Sequence, residues 1–324
     1  MAAGAMGAAA LGMMVVLQVA SGVSENPAGF TGPIVTVMAV SAVCFAAAAR
    51  GWGRAGRAFA AAALIGYAAE AIGESTGFPF GQYRYSGVLW PEVGPVPVTV
   101  CVAWGGMGLA AYGVGTAIST RWAVVLGASA LTGWDLFLDP QMVRLGLWTW
   151  AEGGPYRGVP LTNFAGWLLV SLLVMAAIRR TLGVPFRSRG LTSLYTVMAA
   201  METLAFAAVF EPRDPLVAAL GGVTMGAFAL MAWRRGREPG RTRQAGFVRN
   251  RGRLREPDAS AAQRESGGED RPGYVREPDG VREPGGGLWP GRGLAWVRRQ
   301  GWGRMSRWMV LPGRARGWRR SWRG

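Results

Sequence analysis

Long windows without a single charge recur through residues 1–235, and they constrain the fold more than any other feature of the chain. The hydrocarbon core of a bilayer is about 30 Å thick, so a crossing helix needs roughly 20 apolar residues. Such stretches lie near residues 4–20, 30–49, 57–74, 96–116, 121–138, 161–178, 190–210 and 213–233. The expected fold is all-α: a polytopic integral membrane bundle of about eight transmembrane helices over residues 1–235. The first stretch has the length of a secretion signal, but no basic residues precede it, so it is counted as a helix. Residues 236–324 are rich in Gly, Pro and Arg, and Arg-Glu-Pro recurs at 237–239, 255–257, 276–278 and 282–284. A low-complexity segment of this kind buries no core, so a disordered basic C-terminal tail is expected.

The net charge of +16 is unevenly spread. Residues 241–324 hold 20 arginines against 8 carboxylates, or +12, which leaves +4 for residues 1–240. Arginines in short loops mark the cytoplasmic side. Arg50, Arg54, Arg57, Arg121, Arg179, Arg180, Arg187, Arg189, Arg234, Arg235 and Arg237 fall on one side of an eight-span topology, against Arg84, Arg144, Arg157 and Arg213 on the other. Both termini are therefore expected in the cytoplasm of a multi-pass plasma-membrane protein. In the tail, Trp289, Trp296, Trp302, Trp308, Trp318 and Trp322 interleave with arginines. Two readings stand: adhesion to anionic lipid, at about 1 kcal/mol per basic residue near the surface, or a solvated appendage with no site. A nucleic-acid partner is poorly motivated beside a membrane domain.

The chain has no histidine and no lysine. That removes Schiff-base lysines, histidine-dependent triads, imidazole shuttles, and haem or zinc held by histidine. Cys44 and Cys101 sit in apolar runs and read as small buried hydrophobes. Chemistry must then rest on carboxylates, Tyr, Trp, Arg, Asn or a bound metal. A carboxylate inside a spanning helix costs roughly 2.5–3.5 kcal/mol on insertion scales, which makes it a functional candidate. Glu70 and Glu74 stand four apart on one helix, Asp135 and Asp139 repeat that spacing, and Glu202 lies within the seventh span. In an apolar setting, one member of a carboxylate pair can keep its proton as a general acid while the other stays ionised. The alternative is structural: hydrogen-bonded packing, or pairing with Arg84, Arg144 or Arg157.

The segments 75–95 and 140–160 are crowded with Trp, Tyr, Gly and Pro rather than Ser and charge. An interfacial aromatic belt accounts for part of this, and structured loops capping a cavity account for the rest. Three functions fit: a membrane enzyme acting on a lipid, a transporter, or a prenyltransferase holding Mg2+ and diphosphate. The transporter lacks a visible internal repeat, and the prenyltransferase lacks a second Asp-rich motif.

At these segments the sequence resembles a known family. The matching text runs Glu70-x3-Glu74-x-x-Gly77-x-x-Phe80-Gly81-x-Tyr83-x-Tyr85, then Val96-Pro97 and Trp104. It continues with Asp135-Leu136-x-x-Asp139-Pro140, Trp148-x-Trp150, and Tyr156-x-Gly158-Val159-Pro160-x-x-Asn163-Phe164-x-Gly166-Trp167. Over roughly residues 60–235 the chain is similar to the carotenoid biosynthesis protein family of membrane hydratases, the bisanhydrobacterioruberin and γ-carotene 1,2-hydratase type. The resemblance implies addition of water across a terminal isoprenoid C=C, with no cofactor and no metal. It implies a carotenoid substrate within the lipid, and other enzymes of the pathway as candidate partners. Asp135 and Glu74 are the leading candidates for proton donor and cation-stabilising or water-orienting base, with the roles not divided between them, followed by Asp139, Glu70 and Glu202. Tyr83, Tyr85, Trp104, Trp148, Trp150, Tyr156, Asn163 and Trp167 are expected to shape the pocket for the polyene end.

Overall fold

The structure, a computed structural model, describes residues 1–184 and 186–236. The tail expectations lie outside the described residues. Within them the chain forms eight long helices: α1 Ala2–Gly22, α2 Thr31–Arg50, α3 Trp52–Thr76, α4 Val98–Ile118, α5 Ala123–Arg144, α6 Leu161–Leu182, α7 Arg189–Leu204 and α8 Pro215–Gly236. Seven of these segments are long and apolar enough to cross a membrane, α7 being lengthened by the π turn Ala205–Val209. The exception is α5, whose otherwise apolar run carries Asp135, Asp139 and Arg144. It tolerates them because it packs against α4, α6 and α8 inside the bundle. The all-α polytopic bundle expected from the sequence is thus the observed architecture. Side chains such as Leu64, Ile72, Leu168, Leu173 and Val223 project outward from it, as helices solvated by lipid require.

Helix α4 forms the axis. Most of its residues are buried, and α2, α3, α5, α7 and α8 pack around it. Without a hydrophobic driving force between helices in lipid, close backbone approach by small residues supplies the packing energy. Gly115 is the sharpest case: a Cβ there would fall 2.5 Å from the Ala123 carbonyl oxygen of α5.

The connections at one end of the bundle are knitted together. Strand β1 (Tyr83–Tyr85) pairs antiparallel with β4 (Trp148–Trp150), in the register Tyr83↔Trp150 and Tyr85↔Trp148. Alternation along the two strands turns Tyr83, Trp148 and Trp150 inward, with half-buried Tyr85, and leaves Arg84 and Thr149 exposed. A second small ribbon joins β2 (Glu92–Val93) to β3 (Val96–Pro97). The Arg144 guanidinium donates to the Pro212 carbonyl at 2.7 Å, and Arg157 pairs with Asp214 at 2.6 Å. Asp214 also caps α8 by accepting from the Val217 amide, ahead of Pro215 at the first helical position.

The fifth span was expected near 121–138, yet α5 continues through Pro140 to Arg144. A proline has no N–H to give the carbonyl four residues earlier. That carbonyl, of Leu136, is taken instead by the Tyr156 hydroxyl at 2.9 Å. Burial, with the nearby Asp214 and Asp135 charges, pushes the Tyr156 phenol up to about 12, so it remains a donor at neutral pH.

Two outcomes follow from these ties. Tyr156→Phe leaves a buried carbonyl without a donor, and should lower stability by about 1–3 kcal/mol in thermal unfolding of the detergent-solubilised protein. Partial burial pushes the Asp214 carboxyl up, but hydrogen bonds from Arg157 and the Val217 amide, with the Arg157 and Arg144 charges, outweigh it and hold the group below its usual 3.8. A depressed folded-state value stabilises the protein above pH 3.8 and is lost as pH falls through the lower value. A melting-temperature series from pH 6 to 3 should show this acid-dependent loss, and Arg157→Ala should flatten it.

Candidate active site

The site begins with the inward stripe of α3. Ala55, Ala58, Ala62, Gly66, Glu70 and Gly73 are its buried residues, spaced at three and four as a 3.6-residue period requires. The small residues let α4 and the loop aromatics come close. A Cβ on Gly66 would lie 2.4 Å from the Trp104 ring, and one on Gly73 would lie 2.8 Å from the Phe80 ring. This close packing brings three donors onto one carboxylate. Tyr83 and Tyr85 of β1 donate their hydroxyls to Glu70 Oε2 at 2.5 and 2.7 Å, and Trp104 of α4 donates its indole N–H to Oε1 at 2.9 Å. Burial first, then the Glu70 charge, pushes both phenols above their ordinary range, so both stay protonated and donating.

The second acidic group comes from α5. Asp135 and Asp139 are one turn apart and both fully buried. Asn163, in the first turn of α6, donates its single amide nitrogen to both: to Asp135 Oδ2 at 2.9 Å, and to Asp139 Oδ2. Asp139 Oδ1 also accepts from the Trp148 indole at 3.1 Å, whereas Asp135 Oδ1 has no hydrogen-bond partner. Trp150 ties the ribbon to the same region by donating to the Phe80 carbonyl at 3.0 Å.

The two groups face one cavity. Glu70, Asp139 and Asn163 line it, with Tyr83, Tyr85, Trp104, Trp148, Trp150 and Trp167, so every expected pocket residue except Tyr156 is on its wall. Trp104 and Trp167 stack at 4.2 Å between ring centres. The free volume is about 40 Å³, room for two or three waters. Asp135 stands behind Asp139 rather than on the wall. Tyr156 acts one layer out, on α5 itself.

Two expected residues are not brought to this cluster. Glu74 lies half-buried beyond the stripe, because the helical drift presents Gly73 to the core instead. Glu202 is buried in α7 and lines a different chamber. Two relevant side chains escaped the sequence reading: Trp134 sits edge-on to Trp167 at 6.2 Å, and Gln18 lies in α1. Phe80, part of the matching text, supplies a backbone acceptor. Gln18 did carry a signal, as the one amide in an apolar helix. Among the described residues no three acidic or cysteine side chains converge as a metal site.

The fold and site define a multi-pass membrane bundle with buried carboxylates around a cavity walled by aromatic side chains. The chain belongs to the carotenoid biosynthesis protein family, whose profile matches residues 31–233, from α2 to α8. Over 123 residues it is 36% identical to a protein of Haloarcula japonica named bisanhydrobacterioruberin hydratase. That match covers 36% of this chain and 42% of the relative. No solved structure matches the chain.

The close packing of Gly66 against Trp104 can be checked directly. Gly66→Ala should displace Trp104 from Glu70 and cost about 1–3 kcal/mol of stability through overpacking. Gly56→Ala, on the same helix with open space around it, should leave thermal unfolding unchanged or slightly raised.

Proposed function

We propose that the chain is a hydratase that adds water across the terminal C=C of a carotenoid. One observation carries this reading: a bridged aspartate pair and a carboxylate with three donors face each other across a cavity lined with indoles. An alkene is a very weak base, and a proton reaches it only from an acid kept away from bulk water. Two carboxylates sharing one donor cannot both carry charge in a dry interior, so the pair keeps one proton. Asp135, with one donor and a bare Oδ1, stores it; Asp139, on the cavity wall, delivers it.

The proton adds to the less substituted alkene carbon, the π electrons forming the new C–H bond. The tertiary cation that remains sits among the Trp104 and Trp167 faces and the Glu70 charge, which three donors fix in place. A water held by Asn163 and Asp139 supplies its oxygen to the cation, and the water's proton returns to the aspartate pair. The product is a tertiary alcohol, and the catalyst is restored. In this reading Glu70, rather than the leading candidate Glu74, is the glutamate that serves the reaction.

The arginine distribution supports cytoplasmic termini in a plasma membrane, since Arg50, Arg54, Arg57, Arg121, Arg179, Arg180, Arg187, Arg189, Arg234 and Arg235 lie at the helix ends away from the ribbon. The ribbon, whose Tyr83, Tyr85, Trp148 and Trp150 line the cavity, then lies on the outer side.

The test is mass spectrometry of pigments from bacteria that make lycopene or bisanhydrobacterioruberin and express the full chain. The expected result is new species heavier by one or two waters. Asp139→Asn and Asp135→Asn should each abolish them, and Glu70→Gln should reduce them by about 100-fold or more, the scale of removing one preorganised electrostatic group. Glu74→Gln should leave the yield near wild type. Unchanged pigments with well-folded wild-type protein in the membrane would overturn the assignment.

A further inference from the structure

The helix ends away from the ribbon carry ten arginines and, among the described residues, no carboxylate. Both ion pairs of the described residues, Arg157–Asp214 and Arg213–Glu211, lie at the ribbon end. Part of this basic charge gathers where α3 and α6 pack side by side. Helix α4 shows their register: a Cβ on Gly108 would lie 3.7 Å from Ala62 of α3, and 3.2 and 3.4 Å from Val174 and Ile178 of α6. Ala62 therefore stands level with the turn Val174–Ile178. At about 1.5 Å per residue, Arg57 and Arg180 both lie roughly 6–8 Å beyond that contact, on the same side of it. Arg54 stands one turn further out on α3.

Each of these arginines ends an exposed apolar stripe. On α3, exposed Ala60, Leu64 and Ala68 follow exposed Arg57 at spacings of three and four. On α6, exposed Leu169, Leu173 and Ala176 lead at the same spacings to exposed Arg180. Such spacings keep each set on one helix face, the face turned to lipid. The Arg57 guanidinium bends back toward the helix end, since a Cβ on Gly53 would lie 3.7 Å from its Nη1. That posture lifts the charge to the interface while its stem stays on the apolar surface. Exposed Trp52 stands at the same end, and an amphipathic ring of this kind suits the headgroup level.

An apolar stripe closed at the interface by a guanidinium matches a phospholipid in both shape and polarity. The chain has no lysine, so every side-chain cation at this end offers a planar fork that can give two N–H bonds to one phosphate. We propose that the α3–α6 face binds one anionic phospholipid. Arg57 and Arg180 hold its phosphate, Arg54 adds a third charge beside them, and its acyl chains lie along the two stripes. Phosphatidylcholine brings a cation of its own to the same place and is disfavoured. The site stands apart from the carboxylate cavity and does not depend on the reaction proposed there.

The experiment titrates the full chain, in micelles of an uncharged detergent, with phosphatidylglycerol or phosphatidylcholine of the same acyl chains. Hydrogen exchange read by mass spectrometry reports binding locally, as slower exchange in residues 52–58 and 178–184. Phosphatidylglycerol should reach half-protection of these segments at about one-tenth the concentration that phosphatidylcholine needs, or less. Arg57→Gln combined with Arg180→Gln should raise the phosphatidylglycerol midpoint by about tenfold or more and leave that of phosphatidylcholine unchanged. Both side chains are exposed, so the variant should unfold at the wild-type temperature without added lipid. Arg234→Gln combined with Arg235→Gln removes the same charge from the end of α8 and should leave the midpoint where it was. Equal midpoints for the two lipids in the wild type would overturn the proposal. So would an equal loss in both double variants, the mark of a general basic surface rather than a site. Glycerol phosphate carries the anion without acyl chains and should give no protection at the concentrations used. Protection by it as strong as by the lipid would mark a free-anion site and overturn the assignment to a phospholipid.

Discussion

A carboxylate in the interior of a membrane protein needs hydrogen-bond donors, and the arrangement around Glu70 is the consequence. Left bare, such a group costs several kcal/mol. Its three donors come from two places far apart in sequence, β1 and α4. To deliver the tyrosines, the segment after α3 must fold back over the helix ends. To stay there, it pairs with β4, whose Trp148 in turn reaches Asp139. The ribbon, the close crossing of α3 and α4 at Gly66, and the dry cavity therefore form one construction. Each part supplies what another leaves unsatisfied.

Much of this is legible in the residues. Charge-free windows gave the helices, and the alternating Tyr-Arg-Tyr and Trp-Thr-Trp patterns are those of strands with one buried face. Pairing between the two strands was not visible, because nothing in either segment names its partner. The choice between Glu70 and Glu74 also escaped, since residues four apart share a broad helix face. Only the stripe of small residues leading through Gly66 to Gly73, and what packs into it, decides which acid turns inward. The continuation of α5 through Pro140 was hidden for a related reason. A proline ends a helix unless another donor reaches the freed carbonyl, and the donor here, Tyr156, lies across a loop.

The asymmetry between the two acidic groups has chemical meaning within the proposed reaction. Glu70 takes three donors that come from elements braced against one another. A charge so held needs no reorganisation when a cation forms opposite it, which is where electrostatic stabilisation is most effective. The aspartate pair has fewer donors than acceptors, with Asn163 serving both members and one oxygen left over. A deficit of donors is what a site needs if one member is to hold a proton and release it. Equal satisfaction of all three acids would give a stable bundle with no acid to spend.

A narrow, mostly apolar cavity sets a constraint on the proposed reaction, which consumes water. With room for only two or three waters, the cavity leaves little space for solvent once an isoprenoid end enters. In the proposed reaction the incoming end meets an acid shielded from bulk water and a water held beside Asn163. In the same reaction the rest of a long chain needs somewhere apolar to lie while its end is engaged, and the larger chamber, which shares Thr31, Val35, Leu138 and Met142 with the cavity wall, adjoins the site.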